Sequence, residues 1–183
     1  EAADRRNVLR LPRLRAVGTV AELRRAQVPV RLPTIRADDV AFIQYTSGST
    51  GNPKGVVLTH ANLLANIRAW GKAVGFGPDE VAVSWLPLYH DMGLIGAWLG
   101  SLYHGGLLVL MSPLDFLARP ERWLQAIHRH RGTMTAAPNF AFELCLRRVP
   151  EDLLDQLDLS SWRLAANGAE AVSAQTMQRF AER

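Results

Sequence analysis

The residues of this chain best equipped for chemistry form one run, Thr46-Ser47-Gly48-Ser49-Thr50-Gly51-Asn52-Pro53, with Lys54 directly after it. The run offers hydroxyls, glycines, an amide and a proline, and nothing else. Glycines let successive backbone N–H groups turn inward on an anion, and hydroxyls add short donors without bulk. Lys54 supplies a point charge suited to outer phosphates. Composition alone also fits a flexible linker. Apolar strand-like segments at 40–43 and 56–58 argue against it, because they predict ends anchored in a core. Nor is this a Walker loop, since Pro53 stands where G-x-x-x-x-G-K-[ST] requires glycine. The run reads as a cradle for a polyphosphate.

Other candidates each carry a plainer alternative. His90 and Asp91 follow an expected strand at 81–85, where open α/β sheets place their ligands. Asp91 equally suits a helix N-cap, and His90 a loop histidine. Asn139, after Pro138, can cap a helix or face a substrate. Phe140 and Phe142 suit core packing or an apolar channel. His128 and His130, two apart on a helix, point to different sides and make poor metal ligands. His60 reads as first-turn helix surface. Cys145, between Leu144 and Leu146, reads as a buried inert thiol. Tryptophans 70, 85, 98, 123 and 162 are dispersed and read as core or edge packing.

Three ordered motifs carry a family resemblance. The stretch 45–55 resembles the phosphate loop of the acyl-adenylating superfamily. Trp85-Leu86-Pro87-Leu88-Tyr89-His90-Asp91-Met92-Gly93-Leu94 resembles its next signature, and Asn167-Gly168-Ala169-Glu170 is similar to its adenine-binding turn. The wording of these last two, with Ala136-Ala137-Pro138-Asn139-Phe140, looks most like the fatty acyl-AMP ligase branch. The resemblance runs from about residue 38 to the end of the chain.

It implies an ATP-dependent activation of a fatty acid to its acyl-adenylate, with release of pyrophosphate. Thr46, Ser47, Gly48, Ser49, Thr50, Gly51 and Lys54 would hold the β- and γ-phosphates, with Mg²⁺ bridging them. Thr46, Lys54 and His90 would be the catalytic groups. His90 would border the junction of carboxylate and α-phosphate, alongside Asp91, while Met92 and Gly93 would line the acyl entrance and Asn139 and Phe140 the substrate. Asn167, Gly168, Ala169 and Glu170 would take the adenine, the small residues letting a flat purine lie against the backbone; a plain turn is the alternative. The acceptor would be an acyl carrier protein or coenzyme A. A non-catalytic nucleotide- or acyl-binding module is the competing class for these residues alone. The family pattern also implies a longer enzyme, with a later motif, a hinge and a C-terminal domain bearing a catalytic lysine beyond Arg183.

The 183 residues suffice for one packed domain, and a hydrophobic fraction of 48% with 21% charge is ordinary for a globular chain. The net charge of +4 is carried almost wholly by arginine, concentrated near the start. That stretch lacks the interleaved aromatics of a nucleic-acid arm and reads as solvated surface, with no nucleic-acid partner expected. No apolar run is long enough for a membrane span, and one cysteine points to a reducing, cytoplasmic setting.

The elements needed to position these motifs alternate. Residues 1–37 read as an arginine-rich lead-in with a short helix near 20–26. From 38 to 183, a partial AMP-binding domain by the resemblance, strands are expected at 40–45, 55–59, 81–85, 107–111, 133–137 and 163–166. Helices are expected at 61–74, 92–103, 121–130, 139–148, 151–157 and from 173. Short apolar strands separated by helices predict an α/β fold with a mostly parallel sheet.

Overall fold

The computed structural model describes residues 18–25, 32–46 and 53–183, and divides into two units, residues 1–36 and 37–183. In the first unit, helix α1 (Val20–Arg25) is opened by a capping box. Glu22 N–H donates to Thr19 Oγ1 (3.3 Å), and Glu22 Oε2 accepts the Thr19 N–H (2.6 Å). That backbone donor, helped by the Thr19 hydroxyl, lowers the Glu22 pKa.

In the second unit, β1 (Val40–Thr46) and β2 (Lys54–Thr59) pair antiparallel, from Val40↔Thr59 at one end to Thr46↔Lys54 at the other. Ile43 and Val57, directly paired, are 51% and 54% exposed. The expected anchoring of both loop ends in a core is therefore not observed. The hairpin is a separate two-stranded ribbon, outside the main sheet's hydrogen-bond ladder, and no described layer covers that pair.

Thr59 then ends β2 and caps helix α2 (His60–Val74). Its hydroxyl accepts the Asn62 N–H, and Asn62 Oδ1 accepts the Thr59 N–H (3.1 Å). Gly75 ends the helix at φ 64°, where a side chain would be strained.

Four parallel strands follow: β3 (Val81–Ser84), β4 (Leu107–Leu110), β5 (Met134–Ala137) and β6 (Leu164–Asn167), in the order β4-β3-β5-β6. Between them lie α3 (Gly100–His104), α4 (Pro113–Ala118), α5 (Glu121–His130), α6 (Asn139–Arg148) and α7 (Glu151–Leu154), with α8 (Ala174–Glu182) last. None of the described helices is long and apolar enough to cross a membrane. The α/β fold with a mostly parallel sheet is as expected, but three elements differ.

The segment 92–103 is not one α-helix. Met92–Leu99 is a π-helix that passes into α3, and the Gly100 N–H reaches back to the Ile95 carbonyl. Gly93 sits where a Cβ would lie 2.3 Å from the Pro87 carbonyl oxygen, so the first turn presses on the strand-exit backbone. Glycines at 93, 96 and 100 supply little side-chain packing to hold a tighter winding. Helix α4 was not expected, although Ser112 caps it through the Leu114 N–H (3.2 Å) and Pro113 starts it. Helix α7 stops at Leu154 rather than 157, with Asp155 and Gln156 in a turn.

The ladders β3/β4 and β5/β6 each hold four register pairs, but β3 and β5 share only Ala82↔Met134. A polar clasp gathers the N-terminal ends. The Thr133 hydroxyl donates to the Glu80 carboxylate and accepts the Val81 N–H, while Arg163 Nε donates to Glu80 Oε1 (2.9 Å). Beyond that clasp the β3/β5 ladder does not continue. β3 also leads leftward to β4, whereas β5 leads rightward to β6. This is the topological switch point at which open α/β sheets bind their ligands.

The two faces of this sheet differ. Against α4, α5, α6 and α8 lie Val83, Trp85 and Ala137, with Phe116, Trp123 and Phe142 fully buried. Trp85 stacks on Phe116 at 4.1 Å between centroids, and Trp123 sits edge-on to Phe142 and Trp162. Three tryptophans that read as dispersed thus converge in one aromatic cluster. Trp70 packs instead on Phe76 across the sheet, and Trp98 is 46% exposed.

Candidate functional site

A cavity of about 480 Å³ lies on the other face, between the sheet, α2 and the π-helix. Its floor is explained by strand periodicity. Ala82, Ser84, Ala136 and Ala166 occupy alternate positions on three strands, where larger β-branched residues would fill the layer. Leu63 and Trp70, with the polar Asn62 and Asn66, from α2, Met92, Ile95 and Gly96 from the π-helix, and Leu58 from β2 stand in the walls. Asp91, Asn167 and Gly168 mark one end, at the C-terminal edge of β3 and β6. The other end, toward Ala82 and Met134, meets Trp70. The cavity therefore runs from a polar mouth to an apolar bottom.

His90 is not among the lining residues, but its Nδ1 lies 2.7 Å from Oδ1 of Asp91 at the mouth, which also accepts the Met92 N–H at 2.8 Å. Asp91 is thus the N-cap of the π-helix and the partner of His90 together. An ionised carboxylate only accepts, so Nδ1 donates and, in the neutral ring, Nε2 keeps its lone pair. Both side chains are exposed, 63% and 62%, and face solvent at the strand end.

Across the switch point, Asn139 neither caps its own helix nor lines the cavity. Its Oδ1 accepts from Asn167 Nδ2 (3.0 Å) and from the Ser173 N–H (3.0 Å). The Ser173 donor fixes that atom as oxygen, so Asn167 must present its amide nitrogen there. Asn167 Oδ1 is then left buried with no partner among the described residues, on a residue that lines the cavity. An unmet buried acceptor costs about 1–3 kcal/mol, which a ligand donor would relieve.

Gly168 N–H donates to the Ala137 carbonyl (3.3 Å), pinning the turn to β5. Ala169 takes φ 69°, an uncommon value for a residue with a Cβ. Glu170 turns away from the cavity, and its Oε1 accepts the Phe140 N–H at 2.6 Å at the start of α6. Phe140 is half-exposed, with its ring 5.8 Å from Trp85, and Phe142 is core. Met92 lines the cavity, whereas Gly93 is buried against Pro87.

Thr46 and Lys54 are the last register pair of the hairpin, so both stand at the base of the hydroxyl-rich loop. Ser47, Gly48, Ser49, Thr50 and Gly51 lie outside the described residues, as does Asn52. No group of three or more His, Cys, Asp or Glu that could hold a metal occurs among the described residues. Burial pushes the Cys145 thiol up to about 12 against the opposing pull of Arg183, so it is not a nucleophile. His128 is used structurally, its Nδ1 accepting the Asp158 N–H.

Ser84, Ala136, Ala166 and Gly96 escaped the sequence reading. Their signal was small residues at alternate strand positions, together with a glycine inside an apolar helix.

A model of the AMP-binding enzyme family matches residues 4–183. The chain belongs to that family. Among relatives of this AMP-binding chain, the medium-chain-fatty-acid–[acyl-carrier-protein] ligase JamA of Moorena producens is 48% identical over 148 residues, covering 81% of this chain and 25% of that protein. The putative fatty-acid–CoA ligase FadD21 of Mycobacterium tuberculosis is 39% identical over 181 residues, covering 94% of this chain and 31% of its own. A crystal structure of a fatty acyl-adenylate ligase from L. pneumophila, in complex with acyl adenylate and pyrophosphate, matches with TM-score 0.79 at 43% identity, covering 83% of this chain and 27% of that one. The AMP-binding chain thus spans about a quarter of the length of curated relatives such as JamA.

Proposed function

We propose that this chain is the substrate-binding part of an AMP-forming fatty acyl ligase. In the proposed reaction a fatty acid carboxylate oxygen attacks the α-phosphorus of ATP. The bond from the α-phosphorus to the bridging oxygen breaks, and pyrophosphate leaves with the electron pair. The observation that carries this reading is the cavity at the switch point, apolar in depth and polar at its mouth. A fatty tail would enter the cavity, its carboxylate staying beside His90. His90, held by Asp91, would turn Nε2 or its proton toward the reacting oxygens. Thr46 and Lys54, at the loop base, would meet the outgoing phosphates together with the hydroxyls of 47–51. Asn167 Oδ1, without a partner among the described residues, is an acceptor suited to an amino group such as that of adenine, with Gly168 and Ala169 alongside. Glu170 and Asn139 would act indirectly, fixing the turn against α6. The residues fit a magnesium nucleotide in which phosphates and water supply most ligands, since Mg²⁺ needs few from protein. Bound there, the ion would neutralise leaving-group charge.

The acyl group would pass to an acyl carrier protein, a reading supported by the name of the JamA relative. Coenzyme A is the second acceptor, supported by the name of FadD21. Fatty-acid-dependent exchange of pyrophosphate into ATP by the full-length protein tests the first step. His90→Ala is expected to lower that exchange about 10²-fold or more; an unaltered rate would remove His90 from the mechanism. Incubation with a phosphopantetheinylated carrier protein and with coenzyme A, followed by mass analysis of products, separates the acceptors.

A further inference from the structure

Gly96 combines three features that no other residue of the cavity shares. It lines the cavity, it lies on the π-helix, and a Cβ built on it meets nothing within 4 Å among the described residues. Those three facts together say where a side chain would go.

The π-helix runs against the sense of the strands. It starts at Asp91 beside the polar mouth, and its far end places Gly100 against the Trp70 ring, where a Cβ would be 3.3 Å from Cζ3. Gly96 is therefore at mid-depth, between the mouth and the tryptophan that closes the bottom. Its direction follows from the winding. With i→i+5 bonding, residues four apart nearly coincide on the helix face, so Gly96 lies one turn below Met92. Ile95 and Ala97 on either side of it also line the cavity, which puts Gly96 at the centre of the inward-facing arc. The neighbouring glycines behave differently. Gly93 and Gly100 are each pressed against protein atoms, so their lack of a side chain serves packing. The missing side chain at Gly96 serves empty space.

We propose that Gly96 sets the length of acyl chain this site accepts, by leaving the lower half of the cavity open to the tail. The proposal rests on the fatty acyl reading of the cavity above. Ala, Leu and Phe at this position would project progressively across the channel and divide it, excluding tails that reach Trp70 and still admitting those that end above the π-helix midpoint.

The test is fatty-acid-dependent pyrophosphate exchange by the full-length protein over a homologous series of straight-chain acids, for the unsubstituted enzyme and for Gly96→Ala, Gly96→Leu and Gly96→Phe. The expected result is a graded fall in the longest acid used. The ratio of kcat/KM for a short acid to that for the longest good substrate should rise at least 30-fold in Gly96→Phe. Gly96→Ala adds one methyl into open space, so it remains informative if the Phe variant misfolds, and it should move the same ratio several-fold. A ratio unmoved in every variant, or equal loss at all lengths, would overturn the role of Gly96 while leaving the fatty acyl reading intact. No exchange with any acid in the unsubstituted enzyme would instead overturn that reading and this proposal with it.

Discussion

The same strands build two unlike surfaces. On one side of the four-stranded sheet, Trp85, Phe116, Trp123 and Phe142 stack and meet edge-on; on the other, Ala82, Ser84, Ala136 and Ala166 leave a channel. Successive residues point to opposite faces, so Val83 packs in the aromatic cluster whereas Ala82, one position away, packs with Phe76 and Met134. The packed side provides rigidity to hold the hollow side open. An underfilled layer loses contacts that ordinary cores keep, and this one lies on the opposite face of the sheet from the aromatic cluster. The clasp of Glu80, Thr133 and Arg163 adds to this by tying the strands at the end away from the channel mouth.

The largest effect should come from cutting into the packed side. Trp123→Ala removes a side chain with 0% exposure that touches aromatic rings on four sides, and should cost about 3–5 kcal/mol in a denaturant melt. A loss under about 1 kcal/mol would mean that this face is no better packed than the other.

A smaller effect should appear with pH on the same side. The folded Cys145 thiol stays protonated up to about 12, whereas a free thiol near 9 has begun to ionise. The unfolded chain therefore loses its proton first, so stability is complete below pH 9 and falls as pH rises toward 12. At pH 10 the loss is about 1 kcal/mol. Cys145→Val should flatten that limb of the stability–pH curve, and an unchanged limb would show that the thiol is more accessible than its burial indicates.

The smallest effect on stability is expected on the hollow side. Ala136→Leu adds volume to existing space, so the melt should shift by less than about 1 kcal/mol. Fatty-acid-dependent activity should fall at least tenfold in the same variant. A large stability loss with activity kept would reverse the assignment of the two faces.

Much of the chain was set locally, and there the sequence reading holds. Thr59 and Asn62 begin α2 and Gly75 ends it, because caps act within four residues. The run from Thr46 to Lys54 was legible as a set of consecutive hydroxyls, glycines and a lysine, and its residues 47–52 lie outside the described ones. The alternation of short apolar strands with helices was enough for a parallel α/β sheet. What no local pattern carried was decided by residues far apart in the chain. Asn139 was legible as a polar group at a helix start, but its partners Asn167 and Ser173 lie about thirty positions on. Glu170 read as part of an adenine turn, yet the proximity of α6 turns its carboxylate to the Phe140 N–H. The π-helix at 92–99 brings Gly93 against the Pro87 carbonyl, a contact between residues that no local pattern pairs. The cavity itself is a sum over β3, β5, β6, α2 and the π-helix, each giving three or four of the lining residues. Composition and spacing name the groups that can react, whereas empty space is a property of several elements at once and exists only when they are assembled.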